Sequence, residues 1–198
     1  NIVAFSSENT LSAKAEDFVC HQNRIITTQL GLSYRYDSRF YDGFDKADYA
    51  PEGFEKSAVV SGMPETLYKN RVEKLQLLPL SKGALVDKEK RIYDLGRERA
   101  GFLSCRVKAP AGKIVRVAYG EHLADGEVRR AVGGRDFTVE LVCNGGYFDF
   151  FHPFRRLGCR YLQFLDECEI EIAGLRETMY PVTEIPRRFA DEQLQKIY

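Results

Sequence analysis

Between residues 91 and 175 apolar and polar positions alternate in short runs, the pattern of half-buried β-strands. Phe102-Leu103-Ser104-Cys105-Arg106-Val107 and Glu169-Ile170-Glu171-Ile172 repeat with a period of two, which places Leu103, Cys105 and Val107 on one face and the polar residues on the other. The same reading predicts strands over residues 92–95, 101–107, 114–119, 136–142 and 160–165. Turn signals fall between them at Pro110-Ala111-Gly112, Asp125-Gly126, Gly133-Gly134 and Asn144-Gly145-Gly146. Upstream, Val72, Leu75, Leu77, Leu78 and Leu80, broken by Pro79 and Gly83 and followed by Asp87-Lys88-Glu89-Lys90, read as strand and turn. Many short strands with turn signals between them predict an all-β fold, an antiparallel β-sandwich of one or two units.

The first 69 residues are less regular. A stretch rich in Tyr, Phe and Asp, residues 34–54, contains Gly43, Pro51 and Gly53 and reads as long loops between strands; a short helix is expected over residues 64–72. A boundary near residues 80–90 divides the chain into a first β unit, residues 1–85, and a second, residues 86–185, with strands able to cross it. Residues 186–198 begin a helical segment: Asp191 is placed to cap a helix carrying Leu194 and Ile197 on one face. The chain opens on Asn1-Ile2-Val3-Ala4-Phe5, strand-like and without Met, and this helix has no stop signal, so both ends read as cut from a longer protein.

Composition narrows the function classes. At 198 residues, 44% apolar and 29% charged, the chain has enough material for a core without disulfides or metal. Lys plus Arg equals Asp plus Glu at 29 each, so there is no overall basic field to gather phosphates, and a nucleic-acid partner is not expected. Apolar runs fall far short of the roughly 20 residues that span a bilayer, so no membrane partner is expected either. The five cysteines show no CxxC pairing and no His at zinc-ligand spacing, which argues against a metal site. Cys105 and Cys159 sit in alternating runs and suit small buried apolar positions; the odd count leaves the compartment open.

Candidate chemistry is sparse. Glycoside hydrolysis needs two carboxyls flanking a cleft, but with 29 acids a sequence pair means little. Glu121, Asp125 and Glu127 cluster after a strand, yet Asp125-Gly126 is a turn pair; Glu169 and Glu171 read as one solvated strand face. His21, His122 and His152 have no evident nucleophile partner, and His152-Pro153 reads as a positioning site. The Gly-rich pairs lack the strand-to-helix setting of a phosphate cradle. Tyr34, Tyr36, Phe40, Tyr41 and Phe44 stand among Asp37, Asp42 and Asp45, a combination of aromatic faces and hydroxyl-accepting carboxylates that could bind a glycan. Against that, sandwich aromatics are more often core, and the chain has no Trp.

Ordered motifs then add a resemblance. Ile92-Tyr93-Asp94-Leu95-Gly96, Gly101-Phe102, Ala109-Pro110-Ala111-Gly112, Tyr119-Gly120-Glu121, Asp125-Gly126, Arg135-Asp136-Phe137-Thr138 and Gly158-Cys159-Arg160-Tyr161 occur in an order that resembles the β-sandwich preceding the catalytic barrel of bacterial α-L-rhamnosidases, glycoside hydrolase family 78. Cys159 stands where that family usually has an aromatic. The likeness spans roughly residues 90–175; Asp37-Ser38-Arg39 and Phe44-Asp45-Lys46-Ala47-Asp48 resemble, more faintly, the end of the family's preceding β-domain.

The resemblance implies a jelly-roll or concanavalin-like sandwich. It implies a parent enzyme that removes terminal α-L-rhamnose with inversion, using two acids in an (α/α)6 barrel that would follow residue 198. The catalytic signature is absent, so no catalytic residue is expected in this chain, and no cofactor. The ligands of the family's calcium-dependent rhamnose module do not align, so calcium is not expected. Asp94, Glu121, Asp136, His152, Arg160 and Tyr161 are the expected structural and interface residues, with an Asp136 or Glu121 contact to Arg160. Tyr34, Tyr36, Tyr41, Asp42 and Asp45 are the candidate sugar-binding residues, with a rhamnose-containing glycan and the barrel of the same polypeptide as partners.

Overall fold

The computed structural model describes residues 3–5, 10–12, 19–20, 24–28, 32–44, 46–56, 58, 72–153, 155–182 and 188–197. Ten strands make one curled sheet: β1 (Ile26–Thr28), β2 (Tyr34–Asp37), β3 (Gln76–Lys82), β4 (Ala84–Asp87), β5 (Ile92–Lys108), β6 (Ile114–Gly120), β7 (Thr138–Val142), β8 (Tyr147–Phe151), β9 (Leu157–Phe164) and β10 (Glu169–Met179). The neighbour order is β1-β2-β7-β6-β9-β5-β10-β3, with β4 and β8 also paired to β5. Small ribbons pair Val3–Phe5 with Thr10–Ser12, Val19–Cys20 with Glu55–Lys56, Leu123–Ala124 with Glu127–Val128, and Ala131–Val132 with Arg135–Asp136.

The 17-residue β5 makes this sheet a sandwich. Its first half pairs with β9 and β4, its second half with β10 and β8, so one strand runs through both layers. Gly101 marks the crossover, where a Cβ would lie 2.1 Å from the Arg176 carbonyl oxygen, closer than any side chain allows. The two separate strands predicted over residues 92–95 and 101–107 are therefore one. Opposite them, Asp94 pairs with Tyr161 and Arg99 with Cys159, which leaves residues 95–98 facing Arg160 alone. This bulge turns at Gly96, whose φ is +81°, and its Asp94 carboxylate accepts the Gly96 N–H at 2.7 Å.

The core fills from the inward residues of both layers: Leu103, Cys105 and Val107 of β5, Val115 and Val117 of β6, Val139 and Leu141 of β7, Phe150 of β8 and Leu175 of β10. The bulge changes the parity of β9: Leu157 and Cys159 point inward before it, Leu162 and Phe164 after it. Cys105 and Cys159 are buried and unbridged, as their alternating settings predicted. The Asp125-Gly126 and Gly133-Gly134 turns close hairpins with φ positive at both residues, the geometry of a tight two-residue loop.

Two differences from the sequence reading have physical causes. Residues 34–37, read as loop, are strand β2, held parallel to β7, so the sandwich is antiparallel except at this pair. Tyr34 and Tyr36 alternate with Arg35, and their rings enter the core while Arg35 pairs outward with Glu140. Residues 147–151 form β8, whose Tyr-Phe-Asp-Phe-Phe text hides alternation because Phe148 and Phe151 are only half-buried. Strands from both sides of residue 85 share the one sheet. The helix expected over residues 64–72 falls almost wholly outside the described residues. The C-terminal helix, α1 (Glu192–Ile197), does form, with the Asp191 carboxylate accepting the N–H groups of Gln193 and Leu194.

Candidate functional site

The candidate sugar-binding residues separate in space. Tyr34 and Tyr36 are 2% and 7% exposed, which removes both from an open stacking face. Tyr34 meets the His152 ring edge-on at 4.7 Å, and Tyr36 packs against Phe150 at 5.3 Å. Burial raises the Tyr34 hydroxyl well above its usual range, as it does in smaller measure for Tyr119. Tyr41 and Asp42 remain nearer the surface: Tyr41 packs between Phe44 and Phe148, and Asp42 accepts the Tyr49 hydroxyl at 2.6 Å and the Phe44 N–H at 3.1 Å. Asp45 lies outside the described residues. Beside them runs an apolar groove of about 650 Å³, lined among others by Ile26, Tyr36, Phe44 and Phe54, with Asp42 and His152 as polar members. Phe44, 57% exposed, offers the open aromatic face there.

The expected structural residues come together in part. Arg160 forms a two-pronged ion pair with Asp94, Nε to Oδ1 at 2.9 Å and Nη2 to Oδ2 at 2.8 Å, and lies over the Tyr161 ring at 5.0 Å. The expected Arg160 contact to Asp136 or Glu121 is not made. Arg160 faces the β5 bulge, where Asp94 is the nearer carboxylate, and Asp136 is already taken by Arg130 at 2.8 Å and the Thr138 hydroxyl at 2.5 Å. Glu121 is exposed beyond the end of β6. His152 is 5% exposed, and burial first, the Arg155 charge second, lower its pKa from the usual value.

Recessed carboxylates share one electrostatic state. Asp37 is paired with Arg39, Asp94 with Arg160 and Asp166 with Arg116, and in each the hydrogen bond from the arginine is the leading cause that lowers the pKa. On the outer face Glu169 is lowered by the Tyr147 hydroxyl and Lys108. These four carboxyls are shifted down, whereas the acid of a glycosidase is held up, protonated, by burial or a like charge. Glu171 pairs with Arg106, in keeping with the solvated face expected for Glu169 and Glu171.

Sequence reasoning missed a polar cleft around Tyr119 and Phe137, whose rings meet edge-on at 5.7 Å. On one side lies a cleft of about 510 Å³ lined by Ser33, Tyr119, Arg135, Asp136 and Arg155. On the other is a smaller recess bordered by Glu121, His122 and Arg129. The available signal was two arginines close behind turn residues, Arg135 after Gly133-Gly134 and Arg155 shortly after His152-Pro153.

One strand threading two layers, with an inward-facing apolar core, defines a concanavalin-like β-sandwich. Residues 84–174, somewhat less than half of the chain, match the family model described as the bacterial alpha-L-rhamnosidase concanavalin-like domain. In fold the chain is similar to the α-L-rhamnosidase of Aspergillus terreus, with TM-score 0.70 and 21% identity over 90% of this chain and 22% of that one. It is similar also to the α-L-rhamnosidase of Dictyoglumus thermophilum, with TM-score 0.66 and 19% identity over 87% of this chain and 21% of that one. The Streptomyces avermitilis α-L-rhamnosidase complexed with L-rhamnose gives TM-score 0.62 and 19% identity over 75% and 16%. The chain thus spans about a fifth of the length of these enzymes. No curated protein matches it by sequence.

Proposed function

We propose that this chain is an accessory, non-catalytic β-sandwich region of an α-L-rhamnosidase that hydrolyses terminal α-L-rhamnosyl residues with inversion, and that it supports an (α/α)6 catalytic barrel of the same polypeptide. In this reading residues 86–185 are the sandwich domain, residues 1–85 the end of a preceding β-domain that adds strands to its sheet, and residues 186–198 the start of a linker. What supports the non-catalytic part is the pairing of three recessed carboxylates, Asp37, Asp94 and Asp166, each with an arginine whose hydrogen bond lowers the pKa, the direction opposite to that of an acid that assists a leaving group. Incubating the chain with an aryl α-L-rhamnoside gives no release of the aryl alcohol, while the polypeptide extended beyond Tyr198 releases it. Turnover by the chain alone overturns the proposal.

The groove beside Phe44 and Asp42 favours a second reading, a module recognising rhamnose-containing glycans, because it sets an open ring beside a hydroxyl-accepting carboxylate. Calorimetric titration with L-rhamnose and rhamnosyl oligosaccharides separates the two. Saturable heat lost in Phe44→Ala supports the module, and silence removes it.

A further inference from the structure

The cleft on the Ser33 side of Tyr119 has an unbalanced charge. Its two arginines, Arg135 and Arg155, are exposed, and neither has an acidic partner within ion-pair distance among the described residues. The one carboxylate lining it, Asp136, is held by Arg130 and Thr138. Arg35, Arg39, Arg97, Arg99, Arg106, Arg116, Arg130 and Arg160 are each ion-paired, while Arg24, Arg91, Arg129, Arg156, Arg176 and Arg188 have no ion pair among the described residues, so what sets this cleft apart is that two such arginines line it together. The cleft also has a built polar floor: the hydroxyls of Ser33 and Tyr119, residues 6% and 5% exposed, share a hydrogen bond beneath it. The Arg155 charge lies close enough to be felt at both the Tyr119 hydroxyl and the His152 ring. Phe137 supplies an aromatic wall.

We propose that this cleft binds the carboxylate of an acidic sugar, a uronic acid residue of the glycan, with Arg155 and Arg135 receiving the carboxylate, the Ser33–Tyr119 hydroxyl pair meeting a ring hydroxyl, and Phe137 flanking the sugar's apolar face. Guanidiniums suit a planar carboxylate, two of them line this one cleft, and a volume of about 510 Å³ accommodates one monosaccharide. The sugar identity rests on the rhamnosidase reading above, whereas the anion selectivity rests on the cleft alone. The cleft and the Phe44 groove share no lining residue, so the two can be tested with separate substitutions.

The test titrates the intact chain with D-galacturonate and D-glucuronate, with D-galactose and D-glucose as uncharged counterparts, and with L-rhamnose and inorganic phosphate. Saturable uronate binding is expected, absent for the uncharged sugars, weakened by added salt and weakened roughly tenfold or more in Arg155→Ala and in Arg135→Ala. Both arginines are exposed, so these variants keep the fold; Tyr119→Phe, which removes one hydroxyl of the floor, gives a smaller loss. Phosphate binding as tight as uronate overturns the sugar assignment. No saturation by uronate overturns the proposal, as does uronate binding indifferent to both arginine substitutions. L-Rhamnose binding without uronate binding also overturns it and leaves the module reading intact. Turnover of an aryl rhamnoside by the chain would refute the accessory role without touching this cleft.

Discussion

At the scale of single residues, Asp94 joins sequence to shape. Its carboxylate takes two hydrogen bonds from Arg160 and one from the Gly96 N–H, so one side chain both pins the bulge of β5 and fixes the partner strand. Replacing it with Asn keeps the size and removes the charge. Asp94→Asn is expected to lower unfolding free energy by about 1 kcal/mol, a modest loss because Arg160 is partly solvated, read as a lower urea midpoint. The same pair sets a pH dependence. Because Asp37, Asp94 and Asp166 have folded pKa values below the ordinary 3.8, the stability they contribute is fully present above that value and is lost as pH falls through the lowered ones. Urea midpoints are expected to fall in that acid range, less steeply in Asp94→Asn. His152 adds a separate effect: with its folded pKa below the ordinary 6.5, the unfolded chain takes up the proton first, so stability decreases as pH falls through 6.5 toward the folded value. An imidazole titration by NMR is expected to give a His152 midpoint below 6.5.

At the scale of elements, the crossover of β5 depends on an absent side chain. A Cβ on Gly101 would stand 2.1 Å from the Arg176 carbonyl oxygen and 2.7 Å from the Glu177 Cα, both backbone, which cannot swing away. Gly101→Ala is expected to cost roughly 1–3 kcal/mol or more by thermal or urea denaturation. Gly158→Ala is the control, since nothing lies within 4 Å of a Cβ there, and it is expected to change stability little. The turns were legible because Asp-Gly and Gly-Gly carry their own conformational preference. Strand β2 was not: residues 34–37 alternate over only four positions, and what makes them strand is the β7 backbone beside them, about a hundred residues away in sequence. Bulges hid in the same way, since a register shift between Cys159 and Tyr161 reverses which residues face inward while leaving the local text strand-like.

At the scale of the whole molecule, the two layers close over a core in which the thiols of Cys105 and Cys159 are raised to about 12 and that of Cys168 to about 11, burial being the first cause in each. A thiol must ionise to react, so these three are expected to resist a disulfide-exchange reagent at neutral pH in the folded protein and to react together in denaturant. Partial reaction without denaturant would show the layers to be less closed than the structure has them. Of the candidate surface chemistry, the sequence showed the aromatic and acidic residue types but not their destinations. Tyr34 and Tyr36 went to the core while Tyr41, Asp42 and Phe44 stayed near the groove, because strand alternation, not composition, decides which rings point outward.

By itself, then, the amino-acid order determined the period-two strands of the second half, the glycine-bearing turns, the cap at Asp191, the buried character of Cys105 and Cys159, and the ordered motifs of a rhamnosidase-type sandwich. These are local: each is written in two to seven neighbouring residues whose conformational preferences do not depend on a partner. Only the tertiary structure decided that β5 serves both layers, that β2 joins the sheet in parallel, that Arg160 meets Asp94 instead of Asp136 or Glu121, and that Arg135 and Arg155 share a cleft. Those outcomes depend on which distant strand supplies the opposing hydrogen bonds and charges, and a chain read along its length carries no record of what will lie across from it.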